Sequence, residues 1–212
     1  QSGITLNSEK CKIGLTDIIF FCLRLTSKGI APTDDRCRAL REIEPPSNPK
    51  ELRSLLGLIQ YSGRFLHNLH TLAEPLWRMT HKNAEWNWGP IENTALENIK
   101  SKISNDCMAY FNTQLETELI VDASPVGLSA VLAQYDGKNK NEKYFISFAS
   151  RLLSDTERRY SQCEKEALSA VWGCERHLVY LLCCRFTLVT DNRAVKLIFN
   201  NSASKPPARI ER

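Results

Sequence analysis

Residues 118–134 read ELIVDASPVGLSAVLAQ. The apolar run Leu119-Ile120-Val121 is strand-like and ends on a carboxylate, Asp122; the chain then turns through Asp-Ala-Ser-Pro and resumes as a second apolar run. Stripping water from an isolated carboxylate costs several kcal/mol, so such a residue caps a turn, pairs with a base or holds a metal. The surrounding sequence has to decide among these.

Outward from that stretch the second half is α/β in texture. Strands are expected over 118–122, 127–134 and 143–149, then a long helix over 156–182, a strand over 185–191 and a helix over 193–200: an α/β order with an antiparallel opening. The first half is mostly helical. Residues 1–31 read as a β-hairpin remnant with an apolar run over 17–25, closed by a Ser27-Lys28-Gly29 turn. Thr33 then offers an N-cap for a short helix carrying Cys37, Leu40 and Ile43, ended by Pro45-Pro46. The strongest helix opens with Asn48 as cap, Pro49 at the first position and Glu51 near the positive end. Its apolar stripe runs through Leu52, Leu55, Leu56 and Ile59 to Phe65 or Leu66. Further helices are expected over 72–79 and 91–103, around a turn whose Trp86 and Trp88 fill a core. The texture changes over 104–117, which sets the domain boundary there.

Composition narrows the class. At 212 residues the chain suits two small domains, and 42% hydrophobic with 25% charged residues is ordinary for a globular protein. No apolar run approaches the ~20 residues of a membrane span. No signal leader is evident, and the chain opens on Gln1 without an initiator Met, which reads as a fragment of an intracellular protein. Eight scattered cysteines without a CxxC pair point to reduced thiols. Cys174, His177, Cys183 and Cys184 lack the paired knuckles of a structural zinc site. A net charge of +4 is compatible with a polyanion partner without establishing one.

Two apolar strands end in aspartate, Leu-Ile-Val-Asp122 and Leu-Val-Thr-Asp191, and strand C-terminal ends are where ligands gather in α/β sheets. The helix between them contributes Glu164 and Glu166 in its first turns. Carboxylates that converge repel one another unless a cation sits among them; hard divalent ions take such oxygen ligands, and a pair of them can clamp the attacking and leaving oxygens of a phosphodiester. The bland alternative makes Asp122 the cap of the Ala-Ser-Pro turn and Asp191 the cap of the following helix, with Glu166 solvated. A lone Asp-Ala-Ser favours that alternative, whereas the ordered trio on matched elements favours the cation.

The ordered stretches VDASPVGLSAVLAQ, FASRLLSDTERRYSQCEKEALSAVWG and FTLVTDNRAVKLI resemble the RNase H domain of gypsy-type LTR retrotransposon Pol polyproteins. ITLNSEKCKIG, KGIAPTDDRCRAL and NPKELRSLLGLIQYSGRFLHNLHTLAEPLWRMT resemble the end of the reverse transcriptase palm, the thumb and the connection. The resemblance implies an α/β, RNase H-like domain (a mixed sheet with helices), C-terminally truncated, over 112–212. Before it would come a mostly helical thumb and connection over 32–111 and a palm remnant over 1–31. It implies two-metal hydrolysis, with Mg²⁺ or Mn²⁺, of the RNA strand of RNA–DNA hybrids. Asp122, Glu166 and Asp191 match the catalytic metal ligands, Glu166 being preferred over Glu164 from the alignment of Leu168, Val171 and Trp172. Ala123, Ser124 and Gly127 fall where the backbone passes the hybrid, and Asn48, Lys50, Arg53 and Arg64 are candidate phosphate contacts.

The same resemblance places the fingers and most of the palm before Gln1, so the chain by itself is expected not to polymerise DNA. It places a last strand and helix with a fourth catalytic aspartate after Arg212; beyond Asp191 the sequence holds only Glu211 as an acid. Cys22, Ser129 and Cys183 stand where the pattern carries glycine. Two functions follow as expectations: a retroelement reverse transcriptase/RNase H fragment with weakened or absent hybrid cleavage, or a non-catalytic nucleic-acid-binding or interaction remnant. Its partners would be RNA–DNA hybrid or duplex nucleic acid and the remaining parts of the parent polyprotein, with no membrane.

Overall fold

The computed structural model describes residues 5, 7, 9, 11–82, 84–103, 106–137, 139–182 and 184–200, the last two by backbone alone. The expectations placed on Ile4, Leu6, Cys183 and Glu211 lie outside the described residues.

The chain opens on an antiparallel sheet of β1 (Asp17–Phe20), β2 (Leu23–Thr26) and β3 (Gly29–Pro32). The apolar run over 17–25 is therefore not one strand. It folds back at Phe21 and Cys22, whose φ angles of 47° and 59° are both left-handed, the signature of a two-residue hairpin turn. At the next turn Gly29 has φ +150°, and a Cβ there would meet the Met108 carbonyl oxygen at 2.1 Å. Only glycine lets β3 approach Met108, with which Ile30 exchanges two backbone hydrogen bonds of 2.8 Å. One residue on, the Ala109 amide donates to the Phe145 carbonyl at 2.8 Å, so residues 108–109 stitch the first sheet to the second.

The helical layer comprises α1 (Asp34–Arg41), α2 (Pro49–Tyr61), α3 (Leu69–Leu72), α4 (Glu74–Arg78) and α5 (Pro90–Ser101). Asn48 caps α2 as expected, accepting from the Lys50 and Glu51 amides, with Pro49 at the first position. Thr33 precedes α1 without a side-chain cap bond. The α2 stripe of Leu52, Leu55, Leu56 and Ile59 is buried with Cys37, Leu40, Leu76, Leu96 and Ile99 in one apolar cluster, against which Trp77, Trp86 and Trp88 pack. The stripe does not continue helically to Phe65 and Leu66: α2 stops at Tyr61, and both side chains reach the core from a 3-10 turn over Gly63–Phe65.

The second sheet contains β4 (Glu116–Ala123), β5 (Gly127–Asp136), β6 (Asn139–Leu152) and β7 (Phe186–Val189) in the order β6-β5-β4-β7. β4 runs antiparallel to β5 and parallel to β7, so the sheet is mixed, as the α/β order implies. The long helix expected over 156–182 is three pieces: α6 (Asp155–Arg158), α7 (Gln162–Arg176) and α8 (Leu178–Leu181). Ser154 and Ser161 each start a new helix with a capping box, closed by Glu157 and Glu164 respectively. α7 lies on β4 and β5 at Gly173, where a Cβ would sit 3.0 Å from Val121 Cγ1 and 3.1 Å from Ala130 Cβ. α9 (Arg193–Asn200) follows β7. Among the described residues, no helix is long and apolar enough to cross a membrane.

Candidate metal centre

Three elements bring the acids together. The last parallel pair of β4 and β7 is Ile120 with Val189, so Asp122 and Asp191 stand at the same level two residues further along. α7 passes under this edge, and its first turns carry Glu166 up to it. One carboxylate oxygen from each of Asp122, Glu166 and Asp191 lies within 4.8 Å of the others. The two aspartates are exposed, whereas Glu166 is 3% exposed.

Neighbouring residues make the turn-cap alternatives unnecessary. The Asp-Ala-Ser-Pro turn is held by Ser124, whose hydroxyl oxygen accepts from the Val126 and Gly127 amides at 3.3 and 2.9 Å. α9 is capped by Asn192, which accepts from Ala194 and Val195 at 3.0 and 3.1 Å. Glu164 closes the capping box of α7, accepting from the Ser161 amide and hydroxyl at 2.8 and 2.9 Å. Geometry thus separates the two helical glutamates: Glu166 joins the aspartates and Glu164 starts the helix.

Glu166 is held by Gln162, one helical turn earlier. The Gln162 Nε2 amide donates to Glu166 Oε1 at 2.9 Å and to the Ala123 carbonyl at 2.7 Å, tying helix to strand. The other oxygen, Oε2, is buried without a hydrogen-bond partner among the described residues. Burial pushes the Glu166 carboxyl above the ordinary carboxylate range and Asp122 and Asp191 push it further up, while hydrogen bonds from Gln162 and the Ala123 backbone oppose this. A buried carboxylate with an unpartnered oxygen, grouped with two further acids, is the environment a hard divalent cation satisfies, so the residues present fit such an ion.

The structure deals unevenly with the other candidates. Ala123 is buried; Ser124 sits in its turn within 3.3 Å of the Thr71 hydroxyl. At Gly127 a Cβ would stand 2.9 Å from the Arg151 carbonyl oxygen and 3.2 Å from Thr71 Oγ1, so packing already requires glycine there. Lys50 and Arg53 are exposed on α2 and Arg64 is exposed in the following turn; no ion pair among the described residues joins them to the carboxylates. Asn48 is committed to its helix, its amide nitrogen donating to Ser47 and Glu51 while its oxygen accepts two amides. The Cys174, His177 and Cys184 set does not converge as a ligand cluster among the described residues.

Two neighbours of the site were not singled out from the sequence. Gln162 had a usable signal, the i,i+4 spacing to Glu166 on a helix. His67 had none, because it comes from the helical half. Its ring lies against Phe148 at 5.7 Å between centroids, and it feels the field of Asp122. Burial and Lys102 hold its imidazole below the ordinary value, against the pull of Asp122.

Residues 88–188 match the model of the RNase H-like domain found in reverse transcriptase. The chain is 27% identical over its whole length to the Transposon Tf2-3 and Tf2-4 polyproteins of Schizosaccharomyces pombe, of which it spans 16%. Its fold is similar to the foamy viral protease-reverse transcriptase in complex with RNA/DNA hybrid (TM-score 0.68, 18% identity, 92% of this chain and 27% of that one). It is similar also to the dRH form of that protein in complex with ds DNA (TM-score 0.69, 18% identity, 88% and 33%).

Proposed function

We propose that this chain carries an RNase H-type site that hydrolyses the RNA strand of RNA–DNA hybrids with two divalent ions, Mg²⁺ or Mn²⁺. The observation that supports it best is the convergence of Asp122, Glu166 and Asp191 within 4.8 Å, with Glu166 Oε2 buried and unpartnered. Bound divalent ions supply Lewis acidity at the scissile phosphate and a nucleophilic water at neutral pH. The chain's own residues do the rest. Asp122 and Asp191 offer exposed carboxylates from two parallel strand ends, Glu166 offers an oxygen from below, and Gln162 fixes its orientation.

The relatives bear on the wider assignment. In this reading residues 1–31 end a reverse transcriptase palm, 32–111 form thumb and connection, and 112–212 form the RNase H-like domain. The hybrid passes over the Ala123–Gly127 turn, and the exposed Lys50, Arg53 and Arg64 contact phosphates. The partners are hybrid or duplex nucleic acid and the other parts of a parent polyprotein.

Cleavage of an RNA–DNA hybrid labelled on its RNA strand, with and without chelator, tests the proposal. Mg²⁺-dependent cuts that vanish in Asp122→Asn support it. Hybrid binding without cleavage by the intact chain would overturn it in favour of a non-catalytic nucleic-acid-binding remnant.

A further inference from the structure

A carboxylate that ligates an ion is itself held by an outer hydrogen bond, which fixes the direction of its oxygens. Glu166 has Gln162 for this, at 2.9 Å. Asp122 is exposed, and no hydrogen bond or ion pair among the described residues holds its carboxylate.

The sheet register places a donor beside it. Asp122 of β4 stands directly opposite Ser129 of β5, and Ser129 stands opposite Ser150 of β6. Directly opposed residues of an antiparallel pair project from one face, their Cβ atoms about 4.5–5.5 Å apart. The neighbouring pair, Val121 with Ala130, meets α7 at Gly173, so the row Asp122, Ser129, Ser150 lies on the other face of the sheet. Ser150 is committed within that row: its hydroxyl oxygen accepts from the His70 amide at 3.2 Å and lies 2.9 Å from His70 Nδ1. Ser129 is not committed. It is 5% exposed, and its hydroxyl makes no hydrogen bond among the described residues. A hydroxyl so placed bears a desolvation penalty that nothing offsets.

A donor without an acceptor thus stands opposite an acceptor without a donor. An ionised aspartate only accepts and a serine O–H donates, so the two are complementary. Rotation of the two short side chains between staggered positions spans the gap left between their Cβ atoms. We propose, resting on the metal reading of the three acids, that Ser129 is a positioning residue for the carboxylate centre: its hydroxyl donates to one Asp122 oxygen and leaves the other for a divalent ion. Glycine, which the resembled pattern carries at this position, has no such hydroxyl, so the brace is particular to this chain.

Calorimetric titration of the intact chain with Mn²⁺ at neutral pH, beside urea unfolding in chelator, separates a brace from a residue that only fills the sheet. Ser129→Ala removes the hydroxyl alone. It is expected to lower Mn²⁺ affinity about tenfold or more. Its urea midpoint in chelator should stay the same or rise, because the group deleted is buried and unpartnered. Ser129→Thr keeps a hydroxyl on a residue suited to strands, and is expected to bind Mn²⁺ as the unaltered chain does. Should its extra methyl lower the midpoint, the alanine comparison decides alone. An unaltered chain that binds no Mn²⁺ would overturn the metal reading and this proposal with it. Binding by the unaltered chain that Ser129→Ala leaves undiminished would overturn this proposal alone, and so would an equal loss in a fully stable Ser129→Thr.

Discussion

Gln162 and Glu166 form a linked pair: one amide nitrogen donates both to the Glu166 carboxylate and to the Ala123 carbonyl, 2.9 and 2.7 Å away. The glutamate is thereby aimed at the aspartates by a residue that never needs to touch an ion. Gln162→Ala should leave the fold intact and lower Mn²⁺ affinity by about tenfold or more, the usual effect of losing an outer hydrogen bond to a ligand. Calorimetry with Mn²⁺ reads this directly.

Glu166→Gln should have opposite effects with and without metal. It removes an acid that burial and two aspartates disfavour, so the metal-free protein should melt at the same temperature or a few degrees higher. The rise in melting temperature that Mg²⁺ gives the unaltered chain should largely disappear, because binding to the folded state is what produces it. Thermal melts at fixed pH with and without 10 mM Mg²⁺, roughly a saturating level, measure both.

Acid sensitivity should show at Glu157. The Arg151 guanidinium, helped by the Ser154 amide and hydroxyl, holds this carboxyl down at about 2. A folded value below the ordinary ~4.3 means the stabilisation is complete above that value and is lost as pH falls toward 2. Solvent reaches both partners, so the contribution is on the order of 1 kcal/mol. Urea unfolding of Glu157→Gln should trail the unaltered chain by that amount at pH 6, and the gap should close near pH 2.5, roughly the bottom of this window.

Gly173→Ala should destabilise although alanine favours helix by about 1 kcal/mol. The added methyl would stand 3.0 Å from Val121 Cγ1 and 3.1 Å from Ala130 Cβ, forcing α7 off the sheet at a cost of about 1–3 kcal/mol. Since α7 carries Glu166, Mn²⁺ affinity should fall together with the urea midpoint.

At the first hairpin the expected sign is reversed. Cys22 sits at φ 59°, where a side chain is strained and glycine is not. Cys22→Gly should raise stability by about 1 kcal/mol, read from the same urea midpoint.

Residues whose role is set by their immediate neighbours were legible in the sequence. Asn48-Pro49 started α2 where it does, and the two apolar runs joined by the Asp-Ala-Ser-Pro turn pair as the antiparallel β4 and β5. The strand-end aspartates were named because ligands gather at the C-terminal ends of such strands, whereas the helix left Glu164 and Glu166 open and only the family resemblance preferred Glu166. What was missed depended on competition or distance. The helix expected over 156–182 is broken because Ser154 and Ser161 each win a local capping box over continued apolar periodicity. The apolar run over 17–25 folds back because the backbone pairing of β2 with both β1 and β3 outweighs the strain at Phe21 and Cys22. His67 reaches the neighbourhood of Asp122 from the other half of the chain, and nothing in its local sequence announces that.

The uneven mounting of the carboxylates has a kinetic consequence. β5 is buried from Gly127 through Tyr135 and is paired on both sides, so its amides should be among the slowest in the chain to exchange with deuterium. Asp122 is moored to that durable floor through the adjacent strand. Asp191 instead follows a four-residue strand paired, among the described residues, on one side only. In the proposed metal site Asp191 is therefore expected to be the more mobile ligand and Asp122 the fixed one, which exchange of the amides of β7 against those of β4 and β5 would read.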